Sequence, residues 1–264
     1  MALQTLSNIV VNYRDHGDSS QPVLVLIHGL GCSLKYWGPV FEAPELSHYR
    51  IVALDLPGFG LSEKPDTFDY DLKSQADITC ALLRVLQVSR YTLIGHSMGG
   101  AIAILLARQC SECIERLIVI EPNLKASDAH LSREIIRHSE TAFVQQYEDF
   151  KRIAIETVQN WFVNSHRTDL EEYIRELLKT TPISMYRSAR SLMTVTADES
   201  FTQTFQDLPF PKDFLMGEET LKIRNIPESF ANSDVNTVIV PGVGHMMMVD
   251  NPILFNQTLA SILP

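Results

Sequence analysis

Short apolar runs recur along the chain, and each is followed by a cluster of glycines. Val23–Ile27 precedes Gly29 and Gly31, Ile51–Leu54 precedes Gly58 and Gly60, Thr92–Ile94 precedes Gly95, Gly99 and Gly100, and Thr237–Val240 precedes Gly242 and Gly244. A continuous apolar run of this length predicts a strand buried on both faces. Helical stripes separate most of the runs: Ile78, Ala81, Leu82 and Val85 keep one face of a helix, as do Phe255, Leu259 and Ile262 near the end. Strand alternating with helix predicts an α/β fold, a mostly parallel sheet with helices on both faces. In such sheets the loops at the carboxyl ends of the strands build the site, so the glycine clusters are where function is sought.

The middle of the chain follows another pattern. No glycine occurs between Gly100 and Gly217, and Pro122 to Ser200 is denser in charge than the 20% of the whole chain. Phe143, Tyr147, Phe150, Ala154, Val158 and Trp161 keep helical spacing, and further helices are expected through Asp169–Lys179 and Met185–Val195. The segment 122–200 is therefore read as an inserted all-helical unit of about four helices, with 1–121 and 201–264 forming the core domain.

Composition narrows the function. The 264 residues carry 22 Lys+Arg against 32 Asp+Glu, a net charge of −10, which argues against electrostatic binding of nucleic acid or an anionic membrane. The longest apolar run, Ala101 to Ala107, is far shorter than the roughly 20 residues of a bilayer span. No basic residue precedes Arg14 and no long apolar stretch follows it, so no signal peptide and a cytoplasmic location are expected. The four cysteines form no disulfide framework, and the Cys110-x-x-Cys113 pair falls at the wrong end of a helix for a redox motif. No metal or nucleotide-cofactor motif is present, so neither a metal nor a cofactor is expected.

Thr92-Leu93-Ile94-Gly95-His96-Ser97-Met98-Gly99-Gly100 reads as a strand, a G-x-S-x-G, then a helix of small and apolar residues. A sharp strand-to-helix turn lifts the serine oxygen above the sheet, and the helix N-terminus favours negative charge developing beside it. The resemblance is to the α/β-hydrolase family, over essentially the whole chain. His28-Gly29-Leu30-Gly31 resembles the family's oxyanion loop, Asp55–Ser62 its loop after the next strand, Gly95–Gly100 its nucleophile elbow, and Gly242-Val243-Gly244-His245 its late histidine loop. The helical middle lies where that family inserts a cap. A serine at the elbow disfavours haloalkane dehalogenase and epoxide hydrolase chemistry, which by the same resemblance uses a carboxylate there.

Ser97 is thus the expected nucleophile and His245 the expected base, in the chain order of serine, acid and histidine used by this architecture. His48, His130, His138 and His166 are expected at the surface and His16 in a turn, while the resemblance gives His28 and His96 structural roles. Backbone N–H groups of Leu30 and Met98 are the expected oxyanion donors. Met246, Met247 and Met248 are expected either to line an apolar acyl pocket with Leu30 or to pack the core, and the cap residues Phe143, Tyr147, Trp161, Phe162, Leu192 and Met193 divide in the same way. The acid departs from the family pattern. Its usual G-x-x-D stretch here reads Gly217-Glu218-Glu219-Thr220, with threonine in the aspartate's place. Glu121, which ends the strand Arg116–Ile120, is the expected acid, with Glu218, Glu219 and Asp198 as alternatives. The function expected is cofactor-independent cleavage of a carboxylic ester in a small to medium, apolar molecule through an acyl-enzyme. Lactonase, thioesterase, amidase and carbon–carbon hydrolase chemistry share the same parts, and a non-catalytic ligand receptor is the reading from another class.

Overall fold

The computed structural model describes residues 1–159, 163 and 167–264. Eight strands form one sheet: β1 Ala2–Leu6, β2 Ile9–His16, β3 Val23–Ile27, β4 Arg50–Leu54, β5 Tyr91–His96, β6 Ile114–Ile120, β7 Lys212–Gly217 and β8 Asn236–Val240. Their order across the sheet is β1-β2-β4-β3-β5-β6-β7-β8. The β1–β2 and β2–β4 pairs are antiparallel, and all pairs from β4 to β8 are parallel. Every residue of β3, β4, β5 and β7 is buried, as runs of Val, Ile and Leu in a covered parallel sheet should be. β8 is the exception to the expected burial on both faces: only Val240 is buried, because the strand closes the edge of the sheet and has one neighbour.

Among the described residues the helices are α1 Gly38–Phe41, α2 Leu72–Val85, α3 Met98–Gln109, α4 His130–Ile136, α5 Glu140–Gln145, α6 Tyr147–Gln159, α7 Arg167–Leu177, α8 Pro182–Ala197, α9 Ser200–Gln206, α10 Glu218–Leu221, α11 Met247–Asp250 and α12 Pro252–Ile262. Helix α3 packs on β3, β5, β6 and α2, whereas α12 packs on α1 and β8. On α2 the expected stripe buries Ile78 and Leu82, while Val85 at its end is exposed. None of the described helices is long and apolar enough to cross a membrane.

Within 122–200 the described chain holds five complete helices, α4 to α8, rather than about four, and α9 begins at the boundary, Ser200. The expected helix from Phe143 onward divides at Gln146, which caps α5 before α6 begins, and Ser139 caps the start of α5 by accepting the Ala142 N–H. The helical spacing of Phe143, Tyr147 and Phe150 survives the break because their rings pack together, with centroids 4.7 to 6.1 Å apart. The expected members Trp161 and Phe162, like His166, lie outside the described residues.

Candidate active site

Two glycines explain the tight turn after β5. A methyl group on Gly95 would lie 2.8 Å from the Ala103 side chain, and one on Gly99 would lie 2.5 Å from the His28 carbonyl oxygen. Neither position can accept a side chain while α3 packs this closely against β3 and β5. Ser97 between them takes φ 54° and ψ −121°, a conformation that L-residues rarely adopt and that persists only where the surroundings enforce it. Its N–H donates to Ile120 O at 2.9 Å, which ties the turn to β6. Met98 opens α3, so its N–H has no carbonyl partner within the helix and is free for a ligand oxygen.

The facing loop after β3 is held by His28. Leu56 N–H donates to His28 Nε2 at 3.0 Å, which leaves the ring proton on Nδ1, donating to Gly29 O at 2.8 Å. Asp55 braces the same region by accepting the Leu34 N–H at 2.7 Å and the Leu61 N–H at 2.8 Å. Gly29 and Leu30 are thereby set against the serine: a methyl on Gly29 would lie 3.1 Å from Ser97 Cβ.

Glu121 follows β6 directly and is fully buried. Its N–H donates to Leu215 O of β7 at 2.9 Å, and its φ of 44° turns the side chain out of the strand path. One carboxylate oxygen, Oε1, accepts the Gly217 N–H at 2.8 Å, and the other lies 2.8 Å from His245 Nδ1. Burial by itself would raise the carboxyl pKa. The hydrogen bond and attraction from His245, with the Gly217 N–H and the Thr220 hydroxyl, outweigh burial and hold it below the ordinary value. An ionised carboxylate only accepts, so His245 carries a proton on Nδ1 and donates it in a hydrogen bond to Glu121. The His245 main chain is fixed as well, since His96 Nε2 donates to His245 O at 2.9 Å. Burial, then the neighbouring His245, pushes His96 down to about 3, so that it stays neutral.

The other acid candidates are placed elsewhere. Glu218 accepts the Gly242 N–H at 2.9 Å, Glu219 pairs with Lys222, and Asp198 is exposed and bonds Ser200. Thr220 was legible as the aspartate's replacement, but not as a donor to Glu121. Asn123 and Arg224 also carried no signal. Asn123 Oδ1 accepts a long hydrogen bond from Ser97 Oγ, 3.5 Å, and is itself buried. Arg224 reaches back to the carbonyls of Glu121 and Pro122 and pairs with Asp128 at 3.0 Å, clasping the backbone that bears Glu121.

Ser97, His245 and Glu121 line one cavity of about 930 Å³, together with Leu30, Met246 and Leu192. Met247, Met248, Phe143 and Tyr147 are buried in the core and do not line the cavity. The remainder mixes apolar residues such as Leu131, Ile223 and Ile226 with Lys125, Arg133 and Glu228. Among the described residues no group of histidine, cysteine and carboxylate side chains is arranged to hold a metal ion.

Comparison with known proteins bears on the fold. A 112-residue stretch is 35% identical to an uncharacterized protein of Mycobacterium tuberculosis, covering 42% of the chain, and the match spans about a third (32%) of that relative's length. Epoxide hydrolase 3 of Xenopus tropicalis is 26% identical over 290 residues, covering 97% of the chain and 75% of that protein. The crystal structure of wild-type Cfl2 from Burkholderia cenocepacia superposes with a TM-score of 0.81 at 18% identity, covering 99% of this chain and 95% of that one. The family model for the alpha/beta hydrolase fold matches residues 22–252. With its parallel sheet, the turn at Ser97 and the histidine loop that ends at His245, the chain belongs to the alpha/beta hydrolase fold family.

Proposed function

We propose that the chain is a serine hydrolase that cleaves a carboxylic ester of a small molecule through an acyl-enzyme. The observation that carries this reading is the buried Glu121 carboxylate 2.8 Å from His245 Nδ1, in the cavity that Ser97 also lines. Ser97 Oγ attacks the acyl carbon while His245 Nε2 takes its proton. The imidazolium that forms is stabilised by Glu121, and the oxyanion by the Leu30 and Met98 N–H groups. His245 returns the proton to the leaving alkoxide, and the alcohol departs. Water then adds to the acyl carbon with His245 as base, which frees the acid and restores Ser97.

The hydroxyl bond from Ser97 to Asn123 belongs to the resting state. Its length, 3.5 Å, means that little is lost when the serine turns toward the imidazole. The helices between β6 and β7 form the cap that closes over the substrate, with Leu192 of α8 reaching the cavity. The experiment is hydrolysis of p-nitrophenyl esters from acetate to laurate by the wild type and by Ser97→Ala. Turnover that vanishes in the variant supports the reading, and the chain-length optimum sizes the acyl pocket. Turnover that persists in Ser97→Ala removes the nucleophile and the mechanism with it. Tight binding of an ester without turnover by the wild type would favour the receptor reading.

A further inference from the structure

The wall of the cavity formed by the segment 125–133 offers cations without acids to match them. Lys125 and Arg133 both line the cavity, and neither makes an ion pair among the described residues, although most described lysines and arginines do. The acids nearest to them in sequence are already taken: Asp128 pairs with Arg224 and accepts the Leu124 and Lys125 N–H groups at 3.0 and 2.9 Å, and Glu134 pairs with Arg137. His130, between them, joins the same array. Arg133 Nη2 lies 3.3 Å from His130 Nδ1, and a guanidinium only donates, so His130 accepts there and keeps its proton on Nε2. The group therefore presents an ammonium, a guanidinium and an imidazole N–H, and no acceptor. Of the other carboxylates lining the cavity, Glu121 is bonded to His245 and Glu219 to Lys222, leaving Glu228 against two cations.

This arrangement is costly for a purely apolar substrate, because packing one against the half-buried Arg133 would strip water from its guanidinium without replacing it, while Lys125 stays exposed at the rim. It also stands out in a chain whose net charge of −10 repels anions at long range. A carboxylate on the substrate, held by charge-assisted hydrogen bonds, satisfies both groups. We infer that the substrate carries a carboxylate apart from its scissile ester, and that Lys125 and Arg133 are the residues that select for it. The inference deepens the serine hydrolase reading and rests on it.

The test compares two p-nitrophenyl esters of similar length, the neutral valerate and the anionic monoester of glutaric acid. They are given to the wild type, to Lys125→Gln/Arg133→Gln and to Lys125→Glu/Arg133→Glu. The wild type is expected to prefer the anionic ester in kcat/KM by about tenfold or more, the scale of one hydrogen bond to a charged group. The preference should fall in the glutamine variant through KM rather than kcat, invert in the glutamate variant, and shrink as salt is added. In parallel, glutarate at fixed ionic strength should slow the reaction of wild-type Ser97 with a neutral fluorophosphonate, but not that of the glutamine variant. Equal constants for the two esters and no protection by glutarate, with Ser97 still labelled, would overturn the inference and leave the hydrolase reading standing. No labelling and no turnover of either ester would overturn both.

Discussion

Strand β6 is followed directly by Glu121 and its neighbour β7 ends in Gly217, and the two ends contribute different things to one imidazole. From β6 comes the charge, on a residue with positive φ; from the β7 side come neutral donors, the Gly217 N–H and the Thr220 hydroxyl, that keep the charge ionised. In the pattern that the sequence resembles, an aspartate would stand at Thr220. The two positions meet at the same carboxylate, so moving the acid one strand across leaves its destination unchanged. A carboxylate can reach a histidine from either of two adjacent parallel strands, provided the other strand supplies hydrogen bonds rather than a second charge.

The largest effect expected from breaking this division is the loss of the acid itself. Glu121→Gln should lower kcat by about 10⁴, the scale for a triad acid, whereas Glu218→Gln and Glu219→Gln should each stay within a fewfold of wild type. Steady-state kinetics on one ester checks all three, and near wild-type turnover in Glu121→Gln would move the acid elsewhere. A sharper form returns the charge to the other strand. Glu121→Gln/Thr220→Asp should recover on the order of 10² of the lost rate, because residue 220 already lies in hydrogen-bonding reach of the 121 side chain. No recovery would show that the two strand ends are not interchangeable.

A smaller effect is expected where the backbone of Glu121 is clasped. Arg224→Gln removes the partner of Asp128 and loosens the hold on the carbonyls of Glu121 and Pro122, which should cost about 2 kcal/mol in urea unfolding, as lost hydrogen bonds to a charged group do. The kcat should fall further than the KM changes, since the acid is displaced and not the substrate. An effect of similar size on stability, with none on the division itself, is expected in the pH dependence. His96, pushed down to about 3 from 6.5, stabilises the fold fully above pH 6.5, and that contribution is lost as the pH falls toward 3. Between pH 7 and 5 this amounts to about 2 kcal/mol, or roughly 5 °C in Tm. Thermal melts of His96→Gln should be flatter over that window. Glu121 acts in a lower one: its depressed carboxyl stabilises the fold above the ordinary 4.5, and the contribution fades as the pH drops below that value.

The sheet was legible because continuous apolar runs and glycine clusters both report on burial, and β3 spans the same five residues that the pattern marks. The edge strand β8 was misread for the same reason: its run of Val and Ile looks like a central strand, and only neighbours in space reveal that it has one partner. Around the candidate site, glycines mark the Ser97 turn in one dimension, since a missing side chain is visible in a sequence. Hydrogen bonds between distant residues are not. Gly217, Thr220 and Arg224 lie 96 to 103 residues from Glu121, and although Gly217 and Thr220 fall in the G-x-x-D-like stretch, their contact with it could be found only after β6 and β7 were placed side by side. The helical middle was legible in kind but not in count, because a break such as Gln146 leaves the apolar spacing intact.

Placing the acid before the helices also alters how the chain could be taken apart. Ser97, Met98, Leu30 and Glu121 all lie within the first 121 residues, and only His245 arrives after the long excursion between β6 and β7. In an arrangement with the acid at Thr220, two of the three members would depend on the chain finding its way back. Here one does. On the proposed roles, the nucleophile and its acid therefore share one continuous stretch of chain, from Ser97 to Glu121, and only the base depends on the strands that follow the helices.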